Sequence, residues 1–251
     1  MKNRFFISMM LAAASCLLLE AGTAGADVYM KQRRHTGPMN VMGQERPAED
    51  VVEEIWITPA GFRNDSRDSS TIMLLDRKEM ITIDHAEKSY TRMPMNLGEQ
   101  MKQQTRGEHA SEAEAFQALM QNMMKMEVDV RPKGEKKKIG AWNCEGYTVT
   151  LSTVMGPTTS EVWATQDLKM DPALQDRYTS SIAAAMPGMQ QSMGRFMEEM
   201  KKIKGVQVLN VSTAKMMNHS FTTETRLLEF KNAKAPGDLF ALPSGYSEKG
   251  L

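Results

Sequence analysis

The side chain with the most chemistry to offer in this sequence is methionine, of which the 251 residues include 24. Thioethers are soft ligands for Cu(I). Met186, Met189, Met193, Met197 and Met200 recur three or four residues apart, so helical neighbours could share an ion. The same spacing is what an amphipathic helix needs in order to pack, and methionine fills irregular apolar space flexibly. Packing therefore outweighs metal binding as the reading of these clusters. His35, His85, His109 and His219 are scattered, with no paired-ligand spacing such as His-x-x-x-His. No metal and no cofactor are expected.

Other reactive groups are equally sparse. The chain has no Gly-x-Ser-x-Gly elbow, no phosphate-cradling glycine loop and no Cys-x-x-Cys pair. Asp65, Asp76 and Asp84 fall at the ends of expected strands, where carboxylates commonly form turns. Cys144, within Ala-Trp-Asn-Cys-Glu-Gly-Tyr, is expected to be a buried, inert thiol. A reactive thiol needs an electropositive niche, which Glu145 opposes. Its neighbour Trp142 is expected in the core. These features predict a protein that is not an enzyme.

Lysine plus arginine balance aspartate plus glutamate at 31 each. Such a chain has no field to gather nucleic acid or to hold an anionic membrane surface. The run Lys136-Lys137-Lys138 is expected to be a solvated turn entering a strand.

Residues 1–26 read as a cleavable secretory signal. Lys2 and Arg4 precede an apolar run from Phe5 to Leu19, and Ala24-Gly25-Ala26 suits a signal peptidase. The run is short for a membrane span, which takes roughly 20 residues, so no integral membrane segment is expected after cleavage. Delivery to the periplasm follows. Lipidation at Cys16 is the weaker alternative, because Ala13 stands where Leu is usual and the apolar run continues through Leu17, Leu18 and Leu19. Residues 27–251 then form a single domain whose one cysteine, Cys144, rules out an internal disulfide.

The elements that must position any site alternate between strands and helices. Glu53 to Thr58, Thr71 to Asp76, Met80 to Asp84 and Ser89 to Thr91 predict an antiparallel meander. Ser111 and Glu114 form a capping box ahead of Phe116, Leu119, Met120, Met123 and Met124, one stripe of a helix. Strands resume at Val128, Ile139, Tyr147 to Leu151 and Ser160 to Thr165. Asp171 and Pro172 open a second helical region, which Pro187-Gly188 interrupts. It resumes with the stripe Met189, Met193, Phe196, Met197 and Met200 and stops at Gly205. Val206 to Ala214 and Phe221 to Lys231 predict a closing hairpin. The fold class is α+β.

Several runs resemble a bacterial periplasmic family catalogued as domain of unknown function 4412. They are Asp27-Val28-Tyr29-Met30-Lys31, Val41-Met42-Gly43-Gln44, Glu54-Ile55-Trp56-Ile57-Thr58, Ile139-Gly140-Ala141-Trp142-Asn143-Cys144, Glu161-Val162-Trp163-Ala164-Thr165 and Leu239 to Tyr246. Their motifs are structural in type. More distantly, Trp56-Ile57-Thr58-Pro59 to Phe62-Arg63, then Leu75-Asp76 and Ile81 to Tyr90, is similar to lipoprotein carriers of the LolA and LolB type. That resemblance implies an unclosed β-barrel, a strongly curved antiparallel sheet with helices covering its open face, and a cavity for acyl chains. Thr58 stands where the soluble carriers have an arginine that latches the lid.

The resulting expectation is a periplasmic, non-catalytic binding or carrier protein whose partner is a lipid, acyl chain or lipoprotein. Its wall would be Phe116, Met120, Met123, Met124, Met189, Met193, Phe196 and Met197 on the helices, with Trp56 and Trp163 on the sheet. Two alternatives stand beside it: a Cu(I)-binding protein, and an envelope structural or interaction protein with a solid core.

Overall fold

The computed structural model describes residues 27–41, 44–95, 126–153, 156–176, 190–216 and 219–250. Among them, one large, curved, unclosed antiparallel sheet dominates, with few helices. Its strands are β1 (Val28–Thr36), β4 (Glu49–Thr58), β5 (Gly61–Asp65), β6 (Ser69–Leu74), β7 (Glu79–Asp84), β8 (Ser89–Pro94), β9 (Met126–Ile139), β10 (Trp142–Thr153), β11 (Gly156–Thr165), β12 (Val206–Met216), β13 (His219–Asn232) and β14 (Ser247–Glu248). A separate small hairpin joins β2 (Met39–Val41) to β3 (Gln44–Arg46). The order across the 12-stranded sheet is β14-β8-β7-β6-β5-β4-β1-β13-β12-β11-β10-β9. All of its pairs are antiparallel except β14 on β8. The expected meander and closing hairpin are both present. The signal, the helix expected after Ser111, and the stretch around Pro187 lie outside the described residues.

Strand β1 was not anticipated, yet it joins the two halves of the sheet by pairing with β13 and β4. Side chains alternate between faces along each strand. One face carries Val28, Ile55 and Ile57, with Leu174 and Met170 packed on them. It also carries Val130, Tyr147, Val149 and Val162, against which Met200 and Ile203 pack. Met200 ends helix α1 (Gln190–Met200), so this is the helix face. In β5 to β8 the deepest burial moves to the reverse face. Ile72, Ile81 and Ile83 are at most 2% exposed there, beneath Phe240, Leu242 and Tyr246 of the C-terminal tail.

The tail is fastened as well as packed. Arg63 Nη1 donates to the carbonyls of Leu239 (2.7 Å) and Ala241 (3.2 Å). Beyond Tyr246, the amide of Ser247 bonds Lys88 O and that of Lys249 bonds Tyr90 O, which adds β14 to the edge at β8.

The other edge corrects an expectation. Lys136, Lys137 and Lys138 lie within β9, and the turn comes later, at Gly140 and Ala141. Lys136 pairs with Glu145 at 2.9 Å and Lys137 lies 3.7 Å above the Trp163 ring. Lysines and Pro132 on an edge strand discourage pairing with another chain. Glu199 of α1 caps the same edge by accepting the Val130 amide at 2.9 Å. Trp142 meets its expectation in part, packing against the core cluster of Ile139, Cys144 and Trp163 without being fully buried. It is half-buried beside that turn, and Trp163, at 3% exposed, is the core indole.

Helix α1 ends at Met200, ahead of the stop expected at Gly205, and that glycine instead makes the corner into β12, for a steric reason. Its φ is +90°, and a Cβ there would sit 2.0 Å from the Thr165 carbonyl oxygen. Gly205→Ala is expected to destabilise the fold by upwards of about 1 kcal/mol, since the conformation is unfavourable for alanine even before the clash. A thermal melt superimposable on wild type would contradict this account of the β11–β12 corner.

Candidate functional site

The helix face is not uniformly apolar. Between its two hydrophobic ends lies a polar centre built on β11, β12, β13, β1 and β4. Arg33 opposes Val52 and Gln32 opposes Glu53, which places Gln32, Arg34 and Glu53 on the face of Val28 and Ile57. Glu53 is 7% exposed. Its Oε1 accepts from Arg34 Nε (3.2 Å) and Nη2 (2.9 Å), and its Oε2 accepts from Gln32 Nε2 (2.7 Å). The carboxylate is thus fully engaged, while Arg34 keeps 41% of its side-chain surface open. Two strands away, Ser212 donates to Asn210 Oδ1 at 2.9 Å and lies 2.7 Å from the Ser160 hydroxyl. Thr225 bridges the two groups, opposite both Asn210 and Arg34.

Beside this centre, β4 to β8 carry an apolar row on the same face. Ile57 opposes Phe62, Phe62 opposes Met73, Met73 opposes Met80, and Met80 opposes Met93. Directly opposed residues have their Cβ atoms about 5 Å apart, so the row is continuous. The next row holds Ile55, Asn64, Thr71, Thr82 and Thr91. Asn64 Oδ1 is buried there with no hydrogen-bond partner among the described residues.

The tryptophans expected in the ligand wall lie on the reverse face. Trp56 packs against Tyr29, with ring centroids 5.1 Å apart, and lines a shallow groove of about 400 Å³ with Arg63 and the tail. Trp163 lies under Lys133 and Lys137 and donates its indole N–H to Glu161 at 2.5 Å. The structure therefore does not bring Trp56 or Trp163 to the face that α1 covers. Phe196 and Met197 are half-buried on α1. Met193 lies on α1 with its side chain outside the described residues. Phe116, Met120, Met123, Met124 and Met189 lie outside them altogether.

One constellation looks catalytic until its protons are placed. Ser70 Oγ lies 2.8 Å from His85 Nε2 and 2.5 Å from Asp65 Oδ1, and His85 Nδ1 lies 3.0 Å from the Tyr246 hydroxyl. Ser70 has one proton, and the Asp65 carboxylate, already gripped by Arg63 Nε at 2.7 Å, can only accept it. The Nε2–H of His85 must therefore donate to Ser70, and in the neutral ring Nδ1 accepts from Tyr246. A base would take a proton from the serine; this imidazole gives one. Ser70 is also 1% exposed. The chain works as a clamp between sheet and tail. Of the aspartates expected in turns, Asp84 does accept a turn amide, from Glu87, whereas Asp65 serves this clamp. Cys144 is 1% exposed, and burial pushes its thiol pKa up, as for an inert side chain.

A family model described as "Domain of unknown function (DUF4412)" matches residues 58–246. The chain belongs to that family. The DUF4412 match spans β5 to the tail, and so includes the methionine row and the tail clamp. It begins after Gln32, Arg34 and Glu53, after the first two runs that carry the resemblance, and takes in only Thr58 of the third. No curated protein matches. Among solved structures, the chain is similar to the crystal structure of a DUF1329 family protein from Desulfovibrio piger ATCC 29098. The identity is 10%, the match covers 88% of this chain and 92% of that one, and the TM-score is 0.33.

Two measurements test the site's wiring. Nitrogen NMR of His85 is expected to show the Nε2–H tautomer in the neutral ring; the Nδ1–H form would break the proton assignment. The second concerns Glu161, whose carboxyl is held below the ordinary carboxylate range by the indole N–H of Trp163 and by Lys133. A depressed acid contributes stability above its unfolded pKa and loses it as pH falls through the folded value. The Trp163 emission of the folded protein should therefore change below the usual carboxylate range in wild type and stay flat in Glu161→Gln.

Proposed function

We propose that this DUF4412 protein is a periplasmic, non-catalytic binding or carrier protein for an amphiphile, with acyl chains lying along the methionine row of the helix face. One contrast carries the reading. On β6 and β7 the covered reverse face is built from rigid, β-branched Ile72, Ile81 and Ile83, whereas the helix face of β6, β7 and β8 holds half-buried Met73, Met80 and Met93. Isoleucine is the usual choice for a pleated surface with a fixed neighbour. Methionine is the choice where the neighbour changes shape, because its unbranched thioether adapts. The adjacent Asn64, Thr71, Thr82 and Thr91 row makes the surface two-sided, as an amphiphile is.

Helices closing over this face, with Phe116, Met120, Met123, Met124, Met189 and Met193 as the lid, belong to the proposal. So does an exported location, for which the signal-like residues 1–26 are the support. Buried methylenes are worth about 0.8 kcal/mol each, so about ten along the row, as in one long acyl chain, supply the roughly 8 kcal/mol of micromolar binding.

Organic extraction of the purified mature protein followed by mass spectrometry is expected to recover lipid, and a fluorescent fatty acid is expected to bind. The double variant Met73→Gln with Met80→Gln keeps the side-chain shape and removes apolarity. It should weaken the fatty acid about tenfold or more with little change in melting temperature. Equal affinity in the variant would remove the row from the site. The three thioethers are also soft ligands, and an anaerobic Cu(I) titration against a chelator separates that reading: copper affinity lost in the same variant, with no lipid bound by wild type, would replace lipid with metal.

A further inference from the structure

The polar centre has no role in packing that an apolar patch would not fill better, and it lies on the face to which the acyl chains are assigned. A buried ion pair adds little to stability, because desolvation offsets the attraction, and well-packed apolar residues in its place are often neutral or stabilising. Glu53 is nonetheless buried at the middle of a sheet face, with both carboxylate oxygens filled. The effect of this arrangement is to fix Arg34. Its guanidinium is gripped along the Nε and Nη2 edge, which leaves the Nη1 edge for a second partner in a set orientation. The face around it carries the hydrogen-bonding side chains Gln32, Thr225, Asn210, Ser212 and Ser160, with Val51 directly opposite Arg34 and Glu49 farther along β4.

We propose that Arg34, oriented by Glu53, binds the phosphoryl oxygens of a phospholipid-type head group, while the acyl chains of the same molecule run toward the Ile57–Met93 row. The inference rests on the amphiphile reading and adds the class of head group. Planar guanidinium groups match phosphate oxygens with two parallel hydrogen bonds, which an ammonium cannot do. Arg34 and Val28 lie six residues apart on β1, about 20 Å at the rise of an extended strand, within reach of one long-chain lipid. Glu53 is a positioning residue here. Its carboxylate is covered by the arginine, so a ligand phosphate meets the guanidinium before the acid.

The test uses the full mature chain and two soluble short-chain lipids that differ only in the head: dioctanoyl phosphatidylglycerol and dioctanoylglycerol. Arg34→Gln alone would strand a buried carboxylate, so the decisive variant is Arg34→Gln with Glu53→Gln, which keeps an uncharged amide pair. Arg34→Lys serves as the second variant. Wild type is expected to prefer the phospholipid by about tenfold, the double variant to bind the two lipids equally, and Arg34→Lys to recover part of the preference. Dioctanoylglycerol affinity should stay constant throughout, which shows that the variants are folded. A phospholipid preference unchanged in the double variant, or absent in wild type while both lipids bind, overturns the head-group assignment and leaves the amphiphile reading intact. Failure of wild type to bind either lipid removes both.

Discussion

A single sheet with two faces must bury each of them somewhere: β10 and β11 bury both, whereas the other half of the sheet buries one face at a time. Strands β1 and β4 put Val28, Ile55 and Ile57 on the helix face, whereas β6 and β7 put Ile72, Ile81 and Ile83 on the reverse face. The exchange happens at β5, where Phe62 faces one way and Gly61 and Arg63 the other. Gly61 is needed for this, because a Cβ there would come within 2.2 Å of the Met73 carbonyl oxygen. Once burial has changed sides, the reverse face of β5 to β8 needs a cover that the helices cannot supply. The C-terminal tail is that cover, and the tail clamp of Arg63, Ser70, His85 and Tyr246 follows from it. The helix face of the same strands is thereby released from core duty, and it is there that the methionine row sits.

Most of the strands were legible because their periodicity reports burial. Tyr147, Val149 and Leu151 alternate with hydroxyl residues, and Ile81 alternates with Thr82 and Ile83, so period two stands out. β1 was invisible for a physical reason. Its helix-face positions run Val28, Met30, Gln32, Arg34 and Thr36, apolar at one end and polar at the other, while Tyr29, Lys31, Arg33 and His35 take the reverse face. A strand that passes from a hydrophobic floor into a polar centre has no alternation to read. The lysine run misled in the opposite direction: charge there marks an exposed edge strand, and composition alone does not separate an edge from a turn.

The candidate site was legible in kind and not in place. Methionine abundance pointed to an adaptable apolar surface, and helical spacing drew attention to Met189 through Met200. Cross-strand neighbours cannot be found by spacing, because Met73, Met80 and Met93 belong to three strands and meet only through register. The signal within reach was the pairing of Met80 with Ile81 and of Ile72 with Met73, adjacent residues with opposite demands. Trp56 and Trp163 attracted attention as large aromatic side chains. They are used differently, Trp163 as an indole sealed by two lysines and a carboxylate, and Trp56 as part of the tail's seating.

The polar centre gives the clearest separation between what folding requires and what it tolerates. Reverse-face ion pairs such as Lys31–Glu54 and Arg33–Asp50 are solvent-exposed and contribute little in either direction. Glu53 is different, since removing its carboxylate from water costs several kcal/mol before any partner is counted. Arg34 and Gln32 offset that cost only by giving up their own freedom at the middle of the sheet. A fold selected for stability alone would place a valine or isoleucine at position 53, as it does two residues on at Ile55. What the acid achieves instead is a guanidinium whose orientation is set before anything binds, so a ligand meeting it loses little entropy in ordering it. Under the proposed head-group reading, that is a feature of recognition, placed where an apolar row and a hydroxyl-lined floor meet.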